Sequence, residues 1–401
     1  MKKKIKVVEP LWTGEKHSSF NAAFLGVLSH AFPASQIVFY GEKTHLSCVQ
    51  KKFSGAAIDF KCIFNVRSDN KIVIPFLYII SVLQTIRFLL FTPFSQQLIF
   101  SGLSPFAYPM VLLLNFFFRR KIIFVCHGEL AFIEKDTYRL LNGHYKLIAI
   151  MFKRAFPLLI KKSRIYLIVL GENIVAELKR YYNGDFTKNF LVIEHPYCLQ
   201  PTESNTKSLP NNKLRLATVG LATRMKRADL IIEIHDRLKT KGILDKVQLE
   251  IIGKVADFTS ELNGKKINYP DGKYFLDQGT YDKKISQQDF ILFFYPDATY
   301  RLTPSGAFLD AVSHKKPVIV LKNNFFETYF NKAGQIGYMC DSIADMCECI
   351  EKEITNCSNG AKDTFGSNID KLYQFFSIPG VAKSLRKQVE LRGIIHLFEN
   401  N

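Results

Sequence analysis

Short apolar runs alternate with longer segments of helical spacing along most of this chain, and that alternation predicts an α/β protein. IKVVEP (4–9) reads as a buried first strand, followed by a glycine-bearing loop and an amphipathic helix starting near Ser18 or Ser19. Further strands are expected at 36–40, about 57–64, 97–100, 121–126, 165–170 and 190–194. LQPTESNTKSLPNNK (199–213) then breaks the pattern with two prolines and no periodicity, as a linker does. A second series opens at Leu214, with strands at 214–219, 247–252, near 274–276, 290–295 and 317–321, and a helix over 230–241. The tail FFSIPGVAKSLRKQVELRGIIHLF has helical spacing. The expected architecture is therefore two Rossmann-like, doubly wound domains facing each other across a cleft. They cover 1–198 and 214–380, with a linker at 199–213 and a terminal helix at 381–401.

Composition supports this division. The chain has 401 residues, and a single core rarely serves more than about 250–300. Basic residues exceed acidic ones, 54 to 36, for a net charge of +18. Such a field attracts polyanions: nucleic acid, an anionic membrane surface, or phosphate-bearing substrates. The cations are dispersed over many loops without a recognition-helix stripe, so no nucleic-acid partner is expected.

The eight cysteines lack paired C-x2-C spacing and read as reduced thiols of a cytoplasmic protein, with no metal expected. MKKKIKVVEP carries no apolar leader region, so no secretory signal is expected. Residues 72–94 and 106–118 are strongly apolar. The first is interrupted by Pro75, Gln84, Arg87 and Pro93, the second is too short to span a bilayer, and both are expected to lie on a sheet. Runs such as Phe116-Phe117-Phe118-Arg119-Arg120 and Phe152-Lys153-Arg154 pair aromatics with cations, which favours a peripheral protein on the anionic cytoplasmic leaflet.

Candidate chemistry concentrates in YRLTPSGAFLDAVSHKKPVIVL (300–321), read as a polar loop, a helix over 305–314 and a buried strand. A loop ending in Ser305-Gly306 offers the N–H groups of Gly306 and Ala307 and the positive end of a helix dipole, which together bind phosphate. Asp310 lies one turn further, placed to take hydroxyls of whatever the phosphate carries, and Arg301 and Thr303 are near enough to add contacts. Gly220, Arg224 and Lys226 follow the strand at 214–219, where fixed cations would meet charge growing on a departing diphosphate. In the first domain, Gly14 and His17 follow strand one, and His127-Gly128-Glu129 follows the strand at 121–126. Loops 101–105 and 171–173 also place small or ionisable residues at strand ends. A capped amphipathic helix and a solvated basic loop would carry the same letters.

SGAFLDAVSHKKPVIV (305–320) resembles the segment bearing the second acid of the Glu-x7-Glu motif in GT-B glycosyltransferases of the family 4 type. HGEL (127–130) resembles that family's His-Gly loop, and LGENI (170–174) and EHPY (194–197) the end of its N-terminal domain. The resemblance implies a nucleotide-diphosphate sugar as donor substrate, no cofactor or metal, and a lipid-linked or oligosaccharide acceptor of the lipopolysaccharide, O-antigen or capsule type. It also implies a last helix that returns to the first domain. Lys226 matches the family's lysine, Leu221 stands where its arginine is usual, and Arg224 is the substitute. Asp310 would bind the ribose and His127 approach the donor sugar, while Gly14, His17 and Glu129 would form the acceptor side. Leu302 occupies the first acidic position, so the motif is degenerate, and a homologue that binds without transferring is the alternative. A retaining enzyme of this type uses the leaving phosphate as base; an inverting one would need His17, Glu129 or His127.

Overall fold

The computed structural model describes every residue except 1, 54, 56, 67–72, 135–143, 163, 184, 200–212, 271–275, 298–299, 356–358 and 400–401. The expected linker at 199–213 and the strand expected near 274–276 fall almost wholly outside the described residues. The chain divides into two compact units: Met1–Cys198 with Leu302–Pro304 and Phe376–Asn401, and Leu199–Arg301 with Ser305–Phe375.

The N-terminal unit contains β1 (Lys4–Val8), α1 (Ser18–Ala31), β2 (Gln36–Gly41), α2 (Lys43–Lys52), β3 (Asp59–Cys62), α3 (Ile74–Phe91) and β4 (Gln97–Phe100). It continues through α4 (Tyr108–Phe118), β5 (Ile122–Cys126), α5 (His144–Leu159), β6 (Ile165–Leu170), α6 (Glu172–Leu178) and β7 (Phe190–Ile193). Its sheet is parallel in the order β3-β2-β1-β4-β5-β6-β7. Alternate residues of each strand feed opposite faces, because side chains along a strand have a period of two. Ile5, Val7, Ile99, Ile123 and Val125 join one apolar cluster, while Val8, Leu98, Phe100, Ile122 and Phe124 join the other. A sheet apolar on both faces must be covered on both by helices, as the crossovers do here.

The C-terminal unit contains β8 (Leu214–Ala222), α7 (Leu230–Thr240), β9 (Val247–Val255), β10 (Ile267–Asn268), α8 (Gln278–Ser286), β11 (Phe290–Phe293) and α9 (Gly306–Ser313). β12 (Val318–Leu321), α10 (Asn324–Ala333), β13 (Gly337–Cys340), α11 (Ile343–Thr355) and α12 (Asn359–Phe376) follow. This sheet is also parallel, in the order β10-β9-β8-β11-β12-β13. Edge strands β10 and β13 were not expected from the pattern, since two residues and a GYMC run carry too little periodicity to register.

The last helix, α13 (Ile378–Leu391), belongs to the N-terminal unit. Its Val381, Ala382, Leu385 and Val389 enter the first cluster, Phe398 stacks on Phe32 at 4.1 Å, and Arg386 donates to the Ala31 carbonyl at 2.8 Å. Helices α3 and α4 depart from the expectation that they simply pack on the sheet. α3 buries Leu77, Phe88 and Leu89 but leaves Phe76, Ile79, Leu83, Leu90 and Phe91 exposed.

At the centre of the second sheet Gly220 and Gly253 are register partners on β8 and β9, both with positive φ. A Cβ on Gly253 would sit 2.0 Å from the Gly220 carbonyl oxygen, a contact the backbone cannot absorb. Gly253→Ala is therefore expected to destabilise the protein by about 3 kcal/mol or more, through clash and a strained φ together. Denaturant unfolding beside the wild type checks it.

Candidate functional site

Each sheet reverses its winding once, between β1 and β4 in one unit and between β8 and β11 in the other. The crossovers leave these neighbours in opposite directions, so the carboxyl ends of the two strands frame a crevice that no connection covers.

In the C-terminal unit, Thr223 follows β8, and its Oγ1 accepts the Lys226 N–H at 3.3 Å to close the single turn Arg224–Lys226. Lys226 is half-buried and lines a cavity of about 20 Å³ with Val219, Ala228, Phe294 and Tyr295. Among the described residues it forms no ion pair. Arg224 is situated otherwise. Its guanidinium pairs with Glu261 and lies 3.3 Å from an Asp229 oxygen, while Asp257 accepts its backbone N–H at 3.0 Å. An anion reaching for Arg224 would compete with two carboxylates; one reaching for Lys226 would not.

Tyr295, two residues beyond β11, links this turn to α9. It lines the Lys226 cavity, and its hydroxyl lies 3.0 Å from Ser305 Oγ. Burial raises the Tyr295 hydroxyl well above its ordinary pKa, so it stays protonated. Ser305 caps α9 by accepting the Phe308 N–H at 3.2 Å, and its carbonyl takes the Leu309 N–H at 3.2 Å. The N–H groups of Gly306 and Ala307 have no acceptor within the helix, as its geometry requires. Gly306 is exposed, and a Cβ there would meet nothing within 4 Å. Gly220 packs beneath the same turn: a Cβ on it would lie 3.6 Å from Ala307 Cβ and 3.9 Å from the Tyr281 hydroxyl. Tyr281 in turn donates to Asp310 Oδ2 at 2.8 Å.

The structure thus gathers Gly220, Lys226, Ser305, Gly306, Ala307 and Asp310 at one crevice. Arg301 is half-buried, 3.9 Å from Asp297. Thr303 falls in the N-terminal unit, and Leu302, eight residues before Asp310, is buried in that unit's second apolar cluster. Tyr281 and Tyr295 went unnoticed in the sequence. Tyr295 could have been found from its place just past a buried strand; nothing in the sequence marks Tyr281.

The N-terminal unit presents a second constellation at its own crevice. Glu9, just past β1, accepts the N–H groups of Leu11 and Trp12 at 3.1 and 3.0 Å through Oε1. Its Oε2 accepts from Asn21 at 3.3 Å and from Ser101, just past β4, at 3.1 Å. Gly102 is required beside it, because a Cβ there would lie 2.7 Å from both carboxylate oxygens. His17 precedes α1 with φ 59, stacks on Trp12 at 4.4 Å and meets the His127 ring edge-on at 4.7 Å. Phe20 touches His127 and His195 at 4.1 and 5.2 Å. His127 Nε2 lies 2.7 Å from the Ser101 carbonyl, which fixes the proton on that nitrogen and leaves Nδ1 as the acceptor. The Gly14 carbonyl accepts from His45 Nδ1 at 2.8 Å, which anchors the loop. Glu129 accepts the His127 N–H at 3.0 Å and the Tyr108 hydroxyl at 3.4 Å.

Burial governs protonation here. Desolvation, then the neighbouring His195, lowers His17 to about 3; desolvation lowers His195 to about 4 and pushes His127 well below the usual imidazole range. The same desolvation raises Glu129 to about 7. At neutral pH the crevice therefore holds neutral imidazoles and a carboxyl poised between its two states. His17, His127 and Glu129 do converge, whereas Gly14 contacts His45 and Glu42; Glu9, Trp12, Tyr108 and His195 are additions that only the fold brings to them.

Two parallel sheets of seven and six strands, each with helices and each with its crevice at the carboxyl ends of its switch-point strands, are the fold of GT-B glycosyltransferases. No family model matches the sequence, and no curated protein matches it. The solved structures agree in fold. The chain is similar to WaaG, a glycosyltransferase involved in lipopolysaccharide biosynthesis, with TM-score 0.58, 13% identity, and 96% of this chain and 98% of that one covered. It is also similar to Anabaena HepE in complex with UDP-glucose (0.61, 11%, 97% and 99%) and to sucrose-phosphate synthase from Thermosynechococcus elongatus (0.63, 12%, 97% and 99%).

The buried histidines make stability depend on pH. Their folded pKa values are depressed, so the stability they contribute is present above about 6.5 and is lost as pH falls. Glu129 acts oppositely, because its raised pKa costs stability as pH rises from about 4.5 to 7. Three imidazoles against one carboxyl give a net uptake of about two protons on unfolding near pH 5.5, or about 2.5 kcal/mol per pH unit. Denaturant titrations from pH 7 to 5 should show that slope, and His195→Asn should reduce it by about one proton.

Proposed function

We propose that the protein is a glycosyltransferase that takes a hexose from a nucleoside-diphosphate sugar and transfers it to a lipid-linked or cell-surface polysaccharide acceptor of the lipopolysaccharide, O-antigen or capsule type. The observation that carries the proposal is the crevice of the C-terminal unit, where Lys226, without an ion pair among the described residues, and the open first turn of α9 are joined through Tyr295 and Ser305. That combination suits a diphosphate: one cation on a turn, two backbone donors and the positive end of a helix. Asp310, which accepts the Tyr281 hydroxyl, would take the ribose hydroxyls.

In the reaction the bond from the sugar's anomeric carbon to the diphosphate oxygen breaks, and its electron pair leaves with the diphosphate. Lys226 and the Gly306 and Ala307 N–H groups meet that growing charge, without reorganising as it forms. The acceptor oxygen forms the new bond and gives up its proton. Retention follows if the departing phosphate takes that proton. Retention is our reading; inversion would need a protein base, for which His127 Nδ1 and Glu129 are the groups at hand. The N-terminal crevice would hold the acceptor, with Trp12 and His17 as flat surfaces for a sugar ring and Glu129 as a polar contact. No metal is needed in this scheme, since protein donors take the role of a bridging cation. The setting would be the cytoplasmic face of a membrane, where nucleotide sugars and lipid-linked glycans meet.

One observation favours a second reading. Leu302, where the sugar-contacting acid is usual in the resembling family, is buried, so the chain could bind nucleotides without transferring. A donor screen with UDP-, GDP-, ADP- and dTDP-sugars separates the two, because tight nucleotide binding with no turnover in the presence of membranes supports the second. If the first holds, Lys226→Ala lowers donor turnover by about two orders of magnitude, the loss of one preorganised donor of charge. Asp310→Ala should weaken a nucleoside diphosphate by about tenfold while leaving inorganic pyrophosphate unchanged in calorimetry, as expected for lost hydrogen bonds to a charged acceptor.

A further inference from the structure

Helix α3 is turned inside out. Its buried side carries Ser81, Gln84 and Thr85 among Leu77, Phe88 and Leu89, whereas Phe76, Ile79, Leu83 and Leu90 form a stripe at helical spacing on the exposed side. Thr85 Oγ1 donates to the Ser81 carbonyl at 2.8 Å and Gln84 donates to the Phe64 carbonyl at 3.1 Å, so two of the three inward polar groups are satisfied in that orientation, while Ser81 Oγ has no partner among the described residues. The stripe is about 21 Å long at 1.5 Å per residue. Mean hydropathy over Ile74–Phe91 is 1.9 and the helix is long enough to cross a bilayer, yet it connects parallel strands β3 and β4 of one sheet. It cannot cross without carrying the sheet into the hydrocarbon.

At the end of the stripe the aromatics become denser. Phe91, Phe94, Phe116 and Phe117 are 77%, 69%, 68% and 69% exposed, and Phe118 is exposed beside them. They are held together by Arg120, itself buried at the end of α4. Its guanidinium donates to the carbonyls of Thr92, Pro93 (2.8 Å) and Gln96 (2.7 Å) and lies 5.3 Å from the Phe94 ring centre. The carboxyl ends of α3 and α4 are thus one rigid edge. Exposed cations border it: Arg87, Arg119, and Arg164, which donates to the Arg119 carbonyl at 2.8 Å. From Ile72 to Gly128 the sequence contains no aspartate or glutamate.

We infer that this face is a membrane-docking surface, with the α3 stripe and the phenylalanines of the α3 and α4 ends lying in the interface of an anionic bilayer and the cations at its phosphates. Charge selects the occupant. A second copy of the chain would oppose one acid-free cationic rim to another, whereas an anionic leaflet neutralises it while the apolar stripe is buried. The inference deepens the proposed action on a lipid-linked acceptor, but its test does not depend on that action.

The test is sedimentation with vesicles, without sugar donor, of the full chain and two variants. One is Phe91→Ser/Phe94→Ser/Phe116→Ser/Phe117→Ser and the other Arg119→Glu/Arg164→Glu. The wild type should partition about tenfold or more in favour of phosphatidylglycerol–phosphatidylcholine vesicles over phosphatidylcholine alone at low salt. Each variant should lose at least about tenfold in that binding while keeping the wild-type melting temperature and any donor hydrolysis in solution. Unchanged partitioning of the phenylalanine variant overturns the inference, as does a wild-type dimer that this variant dissociates without any vesicle binding. Binding that depends on the patch, in a protein that hydrolyses no donor, upholds the surface and counts against the transferase.

Discussion

Two neighbouring parallel strands whose crossovers depart in opposite directions leave their carboxyl ends uncovered, and both candidate sites of this protein follow from that topological fact. It occurs once in each sheet. Backbone N–H groups, loop cations and strand-end side chains that would be buried elsewhere are accessible there. β8 and β11 therefore bring Lys226 and Tyr295 together although nearly 70 residues of chain separate them, and β1 and β4 do the same for Glu9 and Ser101.

The two crevices are electrostatically unlike. In the C-terminal unit the notable groups are a cation with no carboxylate partner among the described residues and the Gly306 and Ala307 N–H groups, which have no acceptor within the helix, a combination that gains most from a multiply charged anion. Arg224, nearby in sequence, is neutralised by Asp229 and Glu261 and illustrates how little a basic letter says about an available charge. In the N-terminal unit burial has removed charge: the imidazoles stay neutral and Glu129 sits near its midpoint. Neutral donors and acceptors beside flat aromatic surfaces suit polyols better than anions.

Away from the crevices, α3 and α4 break the usual distribution of side chains. Isolated exposed apolar residues need no explanation, but a continuous stripe on one helix, fixed to a phenylalanine cluster by a buried arginine, is an exposed patch of a kind that soluble monomers avoid. Polar side chains facing inward mean that the outward apolar face is not a failure of packing.

The sequence alone settled the strand and helix alternation and the α/β class, because strand and helix periods are local properties of adjacent side chains. It also nominated Ser305, Gly306, Asp310 and Lys226 as candidates, since anion-binding helix starts and strand-end loops have short local signatures. Tertiary structure alone decided which of those letters act together. Trp12, His195, Tyr281 and Glu9 reach their partners through loops and crossovers. Arg224 is neutralised by Glu261, 37 residues away, and the exposed face of α3 depends on what covers its other side. Burial, pairing and pKa arise from groups far apart in the chain, and no local pattern encodes the distances between them.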